Sequence, residues 1–180
     1  PYAESRRLVR NVSAVPDLAK YISTYDDAIM NALKNGVPST FYRKVDAEYF
    51  EILGRDDYPA VEPYEDRFMG RTFIIADSSN ASATFQFLEY IQQNRLATIV
   101  GQTTGGNKQG INGGNYLFLS LPNSRAEIDI PTYFQSPLKP QKDQSVVPDI
   151  IVKRKPEDVG NKFDRELDVI SSIIAKGIGQ

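Results

Sequence analysis

The sequence predicts an α/β fold built around one strand, helix, strand unit that contains Ser82. An apolar run with the β-branched residues Ile74 and Ile75 is typical of a buried strand, and it ends in a cluster of small polar residues. Apolar residues at helical spacing follow, and Leu96–Val100 has the pattern of a second buried strand. The segment Phe73–Val100 has the length of a crossover between parallel strands, so we predict a parallel sheet.

Composition limits the size and the chemistry of the protein. The 180 residues are 41% hydrophobic, enough to bury one core, so we expect a single domain over residues 1–180. Lys and Arg total 21 against 23 Asp and Glu without a long block of one sign, which argues against nucleic-acid binding. No apolar run approaches the about 20 residues that a transmembrane helix needs. The sequence lacks Cys and His, and we predict no metal and no cofactor.

Two elements are predicted before the central unit. Apolar residues at i, i+4, i+7 spacing indicate an amphipathic helix between Pro16 and Gly36. These residues are Leu18, Ile22, Tyr25, Ile29 and Leu33. From Val37 to Met69 the sequence is acidic and interrupted by proline, so we predict a mostly irregular connection with one strand, Thr40–Val45.

A glycine-rich segment, Gly101–Gly114, follows the second strand of the central unit. It predicts a flexible loop whose backbone could approach a ligand closely. The segment nearly matches a nucleoside-triphosphate loop, but Asn107 separates Gly106 from Lys108, and Gln109 stands where a magnesium-binding hydroxyl should be. We therefore assign no nucleotide site.

The remaining chain predicts a hairpin, a strand and a helix. Partial alternation on both sides of Pro122–Ser124 favours the hairpin, and a polar loop, Gln135–Gln144, follows it. Val146–Val152 contains a short strand. The last helix has four apolar residues on one face and ends before Gly177. Those four residues are Phe163, Leu167, Ile170 and Ile174.

Ser82 and Ala83 lie where the central helix is predicted to start. The first amide groups of a helix have no carbonyl partner within it, so they stabilise a nearby oxyanion. Ser82 is therefore a candidate nucleophile, with the Ala83 amide as half of an oxyanion hole. The alternative is that Ser78, Ser79 and Ser82 only cap or line the helix start.

Three segments in this order resemble peptidase family S41, the serine peptidases that include carboxy-terminal processing (tail-specific) proteases and tricorn-type enzymes. The segments are Asn80–Thr84, Ala97–Gly106 and Val146–Ile150. The resemblance extends from about Gly70 through the last helix. It implies a crotonase-like and ClpP-like layered α/β core, and a serine-type endopeptidase that acts on peptide or protein substrates. It also implies that Ser82 is the nucleophile, that the Ala83 amide binds the oxyanion, and that the location is periplasmic or on a bacterial cell surface.

The chain departs from the family pattern at the general base. In the processing proteases this base is a lysine, but Asn107 stands in register with it and Lys108 comes one residue later. Phe85 replaces the usual Glu, and the Thr-Gly-Gly ending resembles the tricorn branch, which uses Ser and His. Because the chain has no His, we expect the base to come from a missing N-terminal part of the same protein.

Further expectations follow from these departures. The chain alone should be nearly inactive, and Gly105, Gly106, Asn107 and Lys108 should bind substrate. Lys108, flanked by polar and glycine residues, should stay charged and should line the loop or meet a substrate carboxylate instead of acting as the base. The alternative function is a catalytically inactive peptide-binding or scaffold domain that retains the S41 fold.

Overall fold

The computed structural model describes residues 5–10, 20–35, 40–53 and 62–177. They form two compact units, one within Pro1–Pro59 and Gln109–Gln141, the other within Ala60–Lys108 and Lys142–Gln180. In chain order the elements are β1 (Ser5–Arg10), β2 (Ile22–Ser23), α1 (Asp27–Asn35), β3 (Tyr42–Lys44), β4 (Tyr49–Ile52), β5 (Phe73–Ala76), α2 (Ser82–Asn94), β6 (Thr98–Gly101), β7 (Ile111–Ser120), β8 (Glu127–Pro137), β9 (Ile150–Ile151), α3 (Pro156–Gly160) and α4 (Arg165–Gly177).

The first unit is an antiparallel sheet of six strands in the order β2-β7-β8-β1-β4-β3. The predicted hairpin is confirmed as β7 and β8, and both strands are longer than predicted. β7 begins at Ile111, inside the predicted glycine-rich loop, because residues 111–113 already pair with β8. The β7–β8 pairing is irregular between Gly113 and Tyr116. Gly114 has a φ of 73°, which a glycine adopts without strain.

The predicted first helix is wrong in its start. Ile22 lies in β2 and pairs with Leu119 of β7, and the helix begins only at Asp27. The Asp26 side chain fixes this start, since its Oδ1 accepts a hydrogen bond of 2.9 Å from the Ala28 amide. The Tyr25 ring precedes the helix and packs 5.9 Å from the Phe118 ring. Pro16, Leu18 and Gly36 lie outside the described residues.

The predicted strand Thr40–Val45 is observed as β3, but the irregular connection predicted after it contains another strand, β4. The two strands are joined by a turn around Asp46, whose Oδ1 accepts hydrogen bonds of 2.8 Å from the amides of both Glu48 and Tyr49. The turn returns the chain beside β3, so the two strands pair antiparallel.

The second unit contains a parallel sheet of three strands in the order β5-β6-β9, which confirms the predicted parallel crossover. Val100 of β6 packs with Val152 and with Ile170 of α4. Ile99 and Val100 are neighbours that point to opposite faces, and both are fully buried, so both faces of β6 are covered. α2 starts beyond the carboxyl end of β5, which places Ser82 at that end of the sheet.

The last helix is confirmed, with three differences. α4 runs through Gly177, before which it was predicted to end. α4 begins at Arg165, so Phe163 lies before it. A short helix that was not predicted, α3, precedes it and starts with Pro156, a favoured first helical residue. The Asp158 carboxylate of α3 accepts a hydrogen bond of 2.7 Å from the Arg165 side chain, which ties the two helices together.

Candidate active site

A tight turn, Asp77–Ala81, joins β5 to α2 and is called the serine turn below. The Asn80 amide donates to the Asp77 carbonyl over 3.1 Å, and the Asp77 amide donates to Asn80 Oδ1 over 2.8 Å. Asp77 Oδ1 also accepts hydrogen bonds from the Ser79 amide at 2.9 Å and the Ser79 hydroxyl at 2.5 Å. Backbone and side-chain bonds therefore close the turn from both ends.

Ser82 is the first residue of α2, and it is exposed. Its φ of 53° lies in the left-handed region, which is uncommon for a residue other than glycine and costs about 1–3 kcal/mol. Of the alternative that the serines cap or line the helix start, the capping part is wrong, while the part that they only line it stays a prediction. The N-cap residue is Ala81, which makes no side-chain capping bond, and the Ser79 hydroxyl is bonded to Asp77.

Ala83 follows Ser82 and is also exposed. Its amide belongs to the first helical turn, where amide groups have no intrahelical carbonyl to bind. The first turn of α2 carries no acidic residue, so no carboxylate of the helix neutralises its positive end. The start of α2 therefore offers an exposed hydroxyl beside amides that can stabilise a negative charge.

The chain from Thr104 to Lys108, called the glycine segment below, packs against the serine turn. The Gly105 amide donates to the Asn80 carbonyl over 3.1 Å, and a Cβ on Gly105 would lie 2.3 Å from the Ser78 carbonyl oxygen. A Cβ on Gly106 would lie 2.2 Å from the ring of Phe85, in the first turn of α2. The two glycines therefore pack closely against other residues of the chain. This contact brings the glycine-rich motif next to the motif that contains Ser82.

Asn107 and Lys108 are held by Asp143 and Gln144. The Asn107 side-chain amide donates to the Asp143 carboxylate, and the Lys108 amide donates to the Gln144 carbonyl over 3.0 Å. The Ser145 hydroxyl donates to the Gly106 carbonyl over 2.6 Å. The sequence predicted a polar loop here but did not indicate that it supports the glycine segment. None of these bonds involves Ser82.

A charged network behind the serine turn was also missed. Arg154 donates from Nε to Glu166 over 2.7 Å and from Nη1 to Asp77 over 3.3 Å. The pKa of Asp77 is lowered, chiefly by the hydrogen bonds from Ser79 and further by the charge of Arg154. The one available signal was the position of Asp77 directly after a buried strand, and its charged partners lie too far along the chain for local patterns to reveal.

A cavity of about 420 Å³ lies at the opposite end of the parallel strands, where β5 and β6 begin. Its lining shares no residue with the serine turn or the glycine segment. The lining residues are Gly70, Arg71, Thr72, Gln92, Arg95, Leu96, Ala97, Thr98 and Asp149. Among the described residues there is no group of acidic side chains that could hold a metal ion, and no helix is long and apolar enough to cross a membrane.

The fold and the site define an α/β protein whose exposed serine stands at a strand-to-helix turn, a position typical of serine nucleophiles. The chain belongs to peptidase family S41, because the model of "Peptidase family S41" matches residues 14–152. The members of this family are serine peptidases, which are hydrolases. The match begins well before Gly70, where the sequence resemblance began, and ends before α4. No curated protein matches the chain.

Proposed function

We propose that the chain carries the nucleophile of a serine-type endopeptidase. Ser82 attacks a peptide carbonyl, and the Ala83 amide binds the oxyanion that develops. The observation that carries this proposal is the exposed Ser82, held at a φ of 53° as the first residue of a helix whose first turn has no acidic residue. A strained residue at such a position persists only where the surrounding structure holds it. The glycine segment contacts Asn80 and Phe85, which lie on either side of Ser82 in the chain.

In the acylation step, Ser82 Oγ bonds to the carbonyl carbon, and a general base takes the hydroxyl proton. The tetrahedral intermediate then collapses, the peptide C–N bond breaks, and the proton passes to the leaving amine. Water later hydrolyses the acyl-enzyme by the same route. Asp77 is a poor base for this step, since its carboxylate accepts bonds from Ser79 and Arg154 and its pKa is lowered.

The general base and a second oxyanion donor are proposed to come from a part of the protein outside this chain. The chain has no His, which is the commonest base for a serine nucleophile. Asn107, in register with the base lysine of the processing proteases, cannot accept a proton at neutral pH, and its amide is bonded to Asp143.

The parallel sheet of the second unit, with both faces of β6 covered, supports a crotonase-like and ClpP-like layered core. We place the chain in the C-terminal part of a catalytic domain with that core. A periplasmic or cell-surface location remains the proposal that the family resemblance implies.

Substrate would lie along the glycine segment. Gly105 is exposed beside the serine turn, and the half-buried Lys108 carries a positive charge near the other end of the segment. An extended peptide placed here would have its reacting carbonyl near Ser82 and its terminal carboxylate available to Lys108. This arrangement favours extended or C-terminal peptide segments as substrates.

Fluorophosphonate labelling of the full-length protein tests the nucleophile directly. The wild type should be labelled on Ser82, and Ser82→Ala should not be labelled. Ser78→Ala is the matched control, because Ser78 is exposed in the same turn, and that variant should be labelled like the wild type. Peptide mapping that finds the label on another residue, or equal labelling of Ser82→Ala, would contradict the proposal.

The second candidate is a peptide-binding or scaffold domain without catalysis. It is favoured by Asn107 in the lysine position and by Phe85 in the Glu position, where the ring is fully buried against Gly106. For this function the wild type would bind peptides with the same affinity as Ser82→Ala and would resist fluorophosphonate. Titration calorimetry on both proteins, run beside the labelling, distinguishes the two candidates.

A further inference from the structure

Arg154 joins the serine turn to the last helix. Its guanidinium bonds to two carboxylates, with Nε 2.7 Å from Glu166 Oε1 and Nη1 3.3 Å from Asp77 Oδ2. Asp77 begins the serine turn, and Glu166 lies in the first turn of α4. One side chain therefore connects the segment before Ser82 with a helix that carries none of the candidate catalytic residues.

The Glu166 end of this connection is the rigid one. Glu166 is only 2% exposed, and a buried carboxylate is costly unless a cation or hydrogen-bond donors pair with it. Arg154 supplies that cation, so the buried partner fixes the position of the guanidinium. The α4 backbone is held in turn by Ile170, which packs in the core against Val100.

At its other end, Arg154 binds Asp77, the first residue of the serine turn. Asp77 Oδ2 accepts a hydrogen bond from Arg154, and Oδ1 accepts hydrogen bonds from both the amide and the hydroxyl of Ser79. Each oxygen of the carboxylate therefore has a donor. Ser82 follows this turn with its strained φ of 53°. Such a conformation needs a surrounding structure that holds it in place.

We propose that Arg154 is a positioning residue for Ser82, acting through Asp77 and anchored on the buried Glu166. This inference rests on the proposed function, since it assigns Arg154 a part in orienting the nucleophile. This role requires a guanidinium, because its separate nitrogens allow one planar group to bind both carboxylates. A lysine ammonium is a point charge and cannot reproduce that geometry.

The test is the rate of fluorophosphonate labelling of Ser82 in the full-length protein, measured together with thermal unfolding. Misplacing a reacting group by about 1 Å costs up to roughly 10²-fold, so Arg154→Ala should be labelled roughly 10- to 100-fold more slowly than the wild type. Arg154→Lys should keep the folded state and still be labelled more slowly, because it holds only one carboxylate. For a peptide substrate, kcat should fall while KM changes little.

Arg165→Ala is the matched control. Arg165 also pairs with a buried carboxylate, Asp158 at 7% exposure, and the bonds between these two side chains do not reach the serine turn. That variant should lose thermal stability and keep the wild-type labelling rate. Hydrogen exchange of the Ser78–Ser82 amides gives an independent measurement, and it should increase in Arg154→Ala but not in Arg165→Ala.

Each outcome decides the inference. Wild-type labelling rates in both Arg154 variants, or equal losses in Arg154→Ala and Arg165→Ala, would overturn the positioning role and leave the proposed nucleophile intact. A wild-type protein that is not labelled at all would overturn the proposed function, and the positioning role with it.

Discussion

Gly106 has no room for a side chain, because a Cβ there would lie 2.2 Å from the Phe85 ring, which is fully buried. Gly106→Ala forces this ring or the glycine segment to move, and overpacking of this kind costs about 1–3 kcal/mol. We expect the free energy of unfolding, measured by urea titration, to fall by that amount. Gly160→Ala is the control, since a Cβ there meets no atom within 4 Å, and it should keep the free energy of unfolding or raise it by up to about 1 kcal/mol. Equal losses in the two variants would contradict the packing argument.

The role of the Lys108 side chain can be tested without disturbing its backbone, because the bond that fixes Lys108 joins its backbone amide to the Gln144 carbonyl. An alanine keeps that bond. For the full-length protein, we expect Lys108→Ala to raise KM for peptides with a free carboxylate and to keep most of kcat, since a residue that only binds substrate contributes little to the chemical step. If Lys108→Ala abolishes turnover as completely as Ser82→Ala while the fold and peptide binding persist, Lys108 is the general base after all.

At the scale of elements, the link between α3 and α4 gives a prediction for pH. Hydrogen bonds from Arg165 and from the Lys155 amide lower the pKa of Asp158 from 3.8 to about 2. A carboxyl with a lowered pKa in the folded state stabilises the fold above its ordinary pKa, and this contribution is lost as the pH falls through about 2. Carbon-13 NMR titration should give a pKa of about 2 for Asp158 and a value nearer 3.8 in Arg165→Ala. An unchanged value in that variant would show that the ion pair does not lower this pKa.

The elements that local patterns predicted correctly are those whose partners are near in sequence. The crossover around Ser82 and the hairpin of β7 and β8 both follow from adjacent segments. The start of α1 was wrong because Ile22 fits a helical spacing as well as a strand, and its strand partner is Leu119. Only the long-range pairing and the Asp26 cap distinguish the two.

In the candidate site, too, the residues that could be predicted are those that depend on their neighbours in sequence. Ser82 and Ala83 could be assigned from the strand-to-helix transition alone, because the chemistry of a helix start depends on neighbouring residues. Gly105 and Gly106 pack against Ser78 and Phe85. These contacts join residues that are more than 20 positions apart, so local patterns do not reveal them. Arg154 and Asp77 are 77 positions apart, and no local pattern connects them.

On the scale of the whole molecule, the second unit combines two separate stretches of chain. The first stretch carries the serine turn and the glycine segment. The second stretch, from Lys142 onward, supports them through Asp143, Ser145 and Arg154. The catalytic candidates are thus concentrated in one stretch, while the residues that hold them come largely from the other.

The last prediction concerns the activity of these 180 residues on their own. If the general base and the second oxyanion donor come from outside the chain, as proposed, the isolated chain retains Ser82 and one amide donor. The loss of one oxyanion donor costs about 10²–10³ in rate, and the loss of the base adds to that. We expect kcat/KM of the isolated chain on a peptide substrate to be at least about 10²-fold below that of the full-length protein, with full-length Ser82→Ala setting the background. Circular dichroism of the isolated chain should first show that it is folded. Turnover by the folded chain at the full-length rate would mean that these residues contain a complete catalytic site, and the base would then have to be sought among them.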